Sequence, residues 1–74
     1  MQRRIGFIGA GQMATALASG LIRAGRATTQ TLLASDVLPS ARQRFARSTG
    51  AATTDDKLGV LRGRDVVVVG VKAD

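Results

Sequence analysis

Gly9-x-Gly11-x-x-Ala14 is the stretch whose residue types and spacing carry chemistry. It follows the β-favouring residues Arg4, Ile5, Phe7 and Ile8 and opens an alanine-rich segment, so strand, turn and helix come in that order. Gly9 permits a tight turn, Gly11 lets backbone approach a pyrophosphate, and Ala14 keeps the helix close to the strand. The N–H groups at the helix start lack partners within the helix and face an anion. This is the phosphate-contacting turn of a dinucleotide-binding unit.

A second group lies further along. Thr28 to Ala34, rich in β-branched residues and Leu, reads as a strand that ends at Ser35-Asp36. An acidic residue there, about 20 residues beyond the glycine turn, accepts hydrogen bonds from adenosine ribose hydroxyls. Asp36 fits that position, and a turn or helix-capping aspartate is its other reading because Pro39 follows. Arg42, Arg44 and Arg47 then project from a helix, with Arg42 the best placed of the three to reach an adenosine phosphate.

The elements that must position these groups follow from periodicity. A first strand is expected over 3–8 and a first helix over 12–24, where Met13, Leu17 and Leu21 form one stripe for packing on a sheet. A second helix is expected over 39–48, with Leu38, Ala41, Phe45 and Ala46 on its buried side and Gly50 as its stop. Ala51 to Thr53 reads as a short extended piece, and Thr54-Asp55-Asp56 as the start of a short helix through Leu61. Asp65 to Val71, with four successive valines, is the clearest strand and suits a sheet buried on both faces. The whole reads as an α/β Rossmann-type β-α-β-α-β half, a three-stranded parallel sheet flanked by helices in the order 3-2-1 or its continuation. The first strand is then an uncovered sheet edge, which favours self-association. Because ligands sit outside the carboxyl ends of such strands, 9–13, Ser35-Asp36 and 70–73 converge on one edge.

Composition narrows the function classes. Seventy-four residues allow one small domain, burying only roughly 60–65% of the surface its unfolded chain exposes. The hydrophobic fraction of 45% with two Phe and no Trp or Tyr gives an aliphatic core. With no Cys and no His, disulfides, thiolate zinc sites and a histidine base are absent from the sequence, and no metal site or catalytic residue is expected. The net charge of +6 raises nucleic-acid binding, but the basic residues are dispersed and stacking aromatics nearly absent, so no nucleic-acid partner is expected. No stretch approaches the about 18 apolar residues of a membrane span, and a cytoplasmic protein without a membrane partner is expected.

The run Gly6-Phe7-Ile8-Gly9-Ala10-Gly11-Gln12-Met13-Ala14, then Ala16-Leu17-Ala18-Ser19-Gly20-Leu21, Ala34-Ser35-Asp36, and Asp65-Val66-Val67 with Val71-Lys72, resembles the amino-terminal domain of pyrroline-5-carboxylate reductase over nearly all 74 residues. The resemblance implies reduction of 1-pyrroline-5-carboxylate to L-proline, in proline biosynthesis, by hydride transfer from NADPH or NADH. It implies that Ile8, Gly9, Ala10, Gly11, Gln12 and Met13 bind the pyrophosphate. Ser35 and Asp36 would bind the adenosine ribose or its 2′-phosphate, Lys57 would lie near the adenosine, and Gly70, Val71, Lys72 and Ala73 would take the nicotinamide-side ribose. Lys57 stands where the family usually has Asn, and Ala73-Asp74 where Pro and a polar residue follow the Lys, which leaves that loop less fixed. Asp36 about 4 Å from a 2′-phosphate repels it by roughly 1 kcal/mol in water and about 4 kcal/mol at a protein surface. Lys57 and Arg42 offset that repulsion, so both cofactors are expected to be accepted.

In that family a helical carboxyl-terminal domain forms the substrate pocket and the dimer interface. The chain is therefore expected to be a fragment that binds a dinucleotide weakly and is inactive alone, with its small-molecule substrate and homo-oligomer contacts supplied by the missing domain. Two other readings stand beside it: the same half-fold from another hydroxyacid-type dehydrogenase, and a stand-alone non-catalytic nucleotide-binding module.

Overall fold

The computed structural model describes residues 3–70. In order come β1 (Ile5–Ile8), α1 (Gln12–Arg23), β2 (Leu32–Ser35), α2 (Pro39–Thr49), β3 (Ala52–Thr54), α3 (Lys57–Leu61) and β4 (Val66–Val69). The strands form one parallel sheet in the order β3-β2-β1-β4, with Phe7 paired to Ala34 on one side and to Val68 on the other.

The sheet thus has four strands rather than the expected three. The short extended piece near Ala51 is a strand of its own, paired with β2. The chain then returns past β1 to place β4 on its other side, so β1 is central and β3 and β4 are the edges, which corrects the expectation of an uncovered first strand. Between β1 and β4 the direction of strand addition reverses, and such a switch point opens a crevice at the carboxyl ends. The second strand begins at Leu32 rather than Thr28, because Thr28 to Thr31 close a turn in which the Thr31 hydroxyl donates to the Thr28 carbonyl at 3.0 Å.

The core lies on the α1/α2 face, where Phe7, Leu32 and Ala34 meet Ala14, Ala18, Ala41 and Phe45. The expected Met13-Leu17-Leu21 stripe is not the packing face: Met13 is 86% exposed and Leu17 46%, while Ala14 and Ala18 are buried. Alanines bring α1 close to the sheet, and its longer side chains are left beside the crevice; Leu21 alone of the three packs partly on the core. On α2, Ala41 and Phe45 are buried as expected, but Leu38 caps the helix from outside and is exposed.

On the opposite face a single short helix, α3, crosses β1 at Gly6. Its buried Val60 lies so close that a Cβ at Gly6 would stand 2.5 Å from Val60 Cγ1 and 3.0 Å from Arg64 Cγ. Gly6→Ala is expected to cost about 1–3 kcal/mol by overpacking. In urea unfolding, Gly6→Ala combined with Val60→Ala should lose less than the two single losses added. Strict additivity would rule out this contact as the cause.

Candidate functional site

The carboxyl ends of the strands are tied together past their last paired residues. Gly9 N–H donates to the Ser35 carbonyl at 2.7 Å, Gly70 N–H to the Ile8 carbonyl at 2.8 Å, and Asp36 N–H to the Thr54 carbonyl at 3.1 Å. Gly9 has φ of +103°, and a Cβ there would meet the Gly70 carbonyl oxygen at 2.7 Å, so both conformation and space require glycine. Gly11, by contrast, has an ordinary extended conformation and open space around it.

Gly11 is the cap residue of α1. Among the described residues no side chain accepts a hydrogen bond from the N–H groups that open this helix and no acid lies in its first turn, so these donors are free for an anion. A groove of about 1580 Å³ begins at this helix end, lined by Ile8, Gly9, Gly11, Gln12 and Met13, and runs past Ser35 and Asp36 to Lys57, with Gly70 on its other wall. The structure therefore brings together all the described candidate residues except Ala10, which is fully buried beneath the turn. Ser35 is buried too, its hydroxyl 3.5 Å from the Phe7 carbonyl, although it borders the groove. Val71, Lys72 and Ala73 lie outside the described residues.

Asp36 is at the centre of this edge. Its Oδ2 accepts from Ala10 N–H at 2.9 Å and its Oδ1 from Leu38 N–H at 3.0 Å. The Ala10 bond above all holds its carboxyl below the ordinary value of 3.8; burial opposes it, and the Leu38 bond and the Arg42 charge add to the lowering. The turn-forming reading of this aspartate is thus met by a side chain that also borders the groove. Arg42 donates from Nη1 to the Asp36 carbonyl at 2.7 Å, and it is Arg44 that lines the groove. Sequence reasoning missed Arg44 and the apolar wall of Leu17, Val37, Leu38 and Leu58. The available signal was position: Val37 and Leu38 lie just past the carboxyl end of β2, and Leu58 in the first turn of the helix that follows β3.

α3 starts at Lys57 with Asp56 as its cap, accepting from Leu58 N–H at 3.0 Å, and Thr54 instead ends β3. The positive charge is not uniformly dispersed along the fold. Arg3, Arg4, Arg23, Arg26, Arg62 and Arg64 belong to loops and element ends at the edge opposite the groove, where the negative ends of the helices gather. Among the described residues no cluster of His, Cys, Asp or Glu has a metal-holding arrangement, and no helix is long and apolar enough to cross a membrane.

A parallel sheet with a glycine turn at an open helix end, and an acid at the tip of the neighbouring strand, defines a dinucleotide-binding domain of the oxidoreductase type. Residues 4–74 match the model of the family described as NADP oxidoreductase, coenzyme F420-dependent, and the chain belongs to that family. It is 46% identical over 72 residues to pyrroline-5-carboxylate reductase 3 of Bos taurus, covering 95% of this chain and 22% of that protein. It is 36% identical over 70 residues to the pyrroline-5-carboxylate reductase of Methanosarcina acetivorans, covering 95% and 26%. The solved structure of a pyrroline-5-carboxylate reductase from Coxiella burnetii superposes with a TM-score of 0.86 at 30% identity, covering 96% of this chain and 26% of that one. The chain spans about a quarter of the length of these relatives, and the resemblance read from its sequence is to the same proteins. The family implies a nicotinamide cofactor.

Proposed function

We propose that this chain is the cofactor-binding part of a pyrroline-5-carboxylate reductase. It would hold NADH or NADPH for transfer of a hydride to the imine carbon of 1-pyrroline-5-carboxylate, with a proton going to the nitrogen to give L-proline. The observation that carries this reading is the uncapped start of α1 in a groove shared with Asp36, on a chain whose named relatives are such reductases. Gln12, Met13 and the Gly9–Gly11 turn take the pyrophosphate, and Asp36 the adenosine ribose. Val37, Leu38 and Leu58 give the adenine an apolar wall. The cofactor supplies the reductant, and the chain's own residues bind and orient it. Val71, Lys72 and Ala73 are proposed for the nicotinamide-side ribose. The imine-binding pocket and the homo-oligomer contacts are assigned to the rest of a longer, cytoplasmic enzyme, so the 74 residues alone are inactive.

Cofactor preference turns on charge. Asp36 disfavours a 2′-phosphate, and Arg44 and Lys57, which line the same groove, oppose it. Titration of the chain with NADH and NADPH, followed by amide chemical shifts, should give saturable changes at Gly9, Gly11, Gln12, Asp36, Lys57 and Gly70. The two affinities should fall within roughly tenfold of each other, since 1.4 kcal/mol corresponds to a factor of ten. A folded spectrum that neither cofactor perturbs would overturn binding by this chain.

A further inference from the structure

We infer that Asp36 is a positioning residue for the phosphate turn: its carboxylate braces Ala10 against the tip of β2, so that anion binding at α1 depends on Asp36 whatever sugar the ligand carries. For its ligand this rests on the function proposed above; the brace itself stands on geometry. Ala10 is fully buried, and the partner of its N–H is a carboxylate oxygen 26 positions away in sequence. A buried N–H left without an acceptor is costly, and the turn would have to move to hydrate it. The peptide that moves joins Ala10 to Gly9, whose φ of +103° sets the direction of the chain into Gly11 and the helix start.

Asp36 is itself held from several sides. Leu38 N–H binds its second carboxylate oxygen, Arg42 binds its carbonyl, and its own N–H is paired to Thr54. The carboxylate is therefore a fixed post on the lining of the groove. A ribose hydroxyl bound there would meet an acceptor already oriented by the turn it shares with the pyrophosphate. The two parts of the ligand are thereby coupled through one side chain.

Among the described residues, the charged groups around this post are Arg42 and Arg44 on α2 and Asp55, Asp56 and Lys57 ahead of and on α3. The brace is tested first on the free chain by acid titration, following the Ala10 amide proton and the Asp36 carboxyl carbon together. Both should change with one midpoint below 3.8. Because the folded value is lowered, the stabilisation from the brace is present above the ordinary carboxylate value and lost as pH falls through the folded one. An Ala10 amide that does not follow Asp36 would overturn the proposal.

The consequence is tested with ADP and 2′,3′-dideoxy-ADP on the wild type, Asp36→Asn and Asp36→Ala. Asn retains one acceptor and Ala none, so affinity for both ligands should fall in the order wild type, Asn, Ala, with a loss of about tenfold for Ala. Tighter binding by both variants would mean that Asp36 acts only as a charge repelling phosphate. A loss seen with ADP but not with the dideoxy ligand would mean that it only reads the ribose; either result sinks the positioning role. If the wild type binds neither ligand, the cofactor reading fails, and the Ala10 titration still decides the brace.

Discussion

Gly9→Ala is expected to lower stability by about 3 kcal/mol or more, combining a side chain forced to positive φ with a contact against backbone that cannot swing aside. The Cβ would stand 2.7 Å from the Gly70 carbonyl oxygen, which leads the chain out of β4. Against a total stability of roughly 4–11 kcal/mol for a domain of this size, that is a large fraction. Gly11→Ala gives the opposite result. Its φ of −77° suits any residue and nothing lies within 4 Å of the new methyl group. Unfolding free energy should change by about 1 kcal/mol or less, the difference between Gly and Ala at a helix cap. Affinity for NADH should nevertheless drop by roughly tenfold or more, because the methyl occupies the approach of the pyrophosphate. Urea unfolding and ligand titration of both variants separate the two roles. Equal stability losses would refute the assignment of one glycine to the fold and the other to the ligand.

Phe45→Ala should produce the largest loss elsewhere in the chain, about 3–5 kcal/mol. Phe45 is fully buried, and its ring lies against Phe7 at 5.9 Å between centroids, tilted by 56°. These are the chain's two aromatic residues, and they join α2 to the central strand that leads into the glycine turn. Removing one ring leaves a cavity that the small alanines around it cannot close. The shift should appear as a lower urea midpoint with an unchanged slope. A loss below about 1 kcal/mol would mean that this pair does not organise the core.

Much of this was legible because local chemistry and tertiary use coincide. The helix beginning at Pro39 and the glycine turn lie where spacing placed them; the valine run forms a strand as expected, but it is the edge strand β4, with Val66 and Val69 exposed rather than buried on both faces. Asp36 was legible by its distance from the turn as the acid at the tip of β2, but its bond to Ala10 was not, since pairing across 26 positions leaves no local trace. The face of α1 was misread because size was equated with burial: the sheet selects Ala14 and Ala18 for close approach, and the bulky Met13 and Leu17 line a groove. The extra strand was hidden because Ala52–Thr54 has three residues and draws its order from β2 rather than from its own pattern. Arg42 and Arg44 differ by only two positions on one helix, so charge alone could not assign one to the Asp36 carbonyl and the other to the groove.

The central place of β1 also fixes an order of events in folding. Ile5 pairs with Val66 and Ile8 with Val69, so the strand at the start of the chain gains its second neighbour only after nearly the whole sequence is available. Closing so long a span is entropically costly and slow compared with forming the helices. During synthesis from the amino terminus, β1 can pair with β2 while its other edge still awaits β4. In that interval the exposed edge leads into the glycine turn, whose Gly9 still lacks Gly70 beside it. β1 is made before the other three strands of its sheet and yet is enclosed only when β4 joins it, and the glycine turn takes its final shape only with the closing of the sheet.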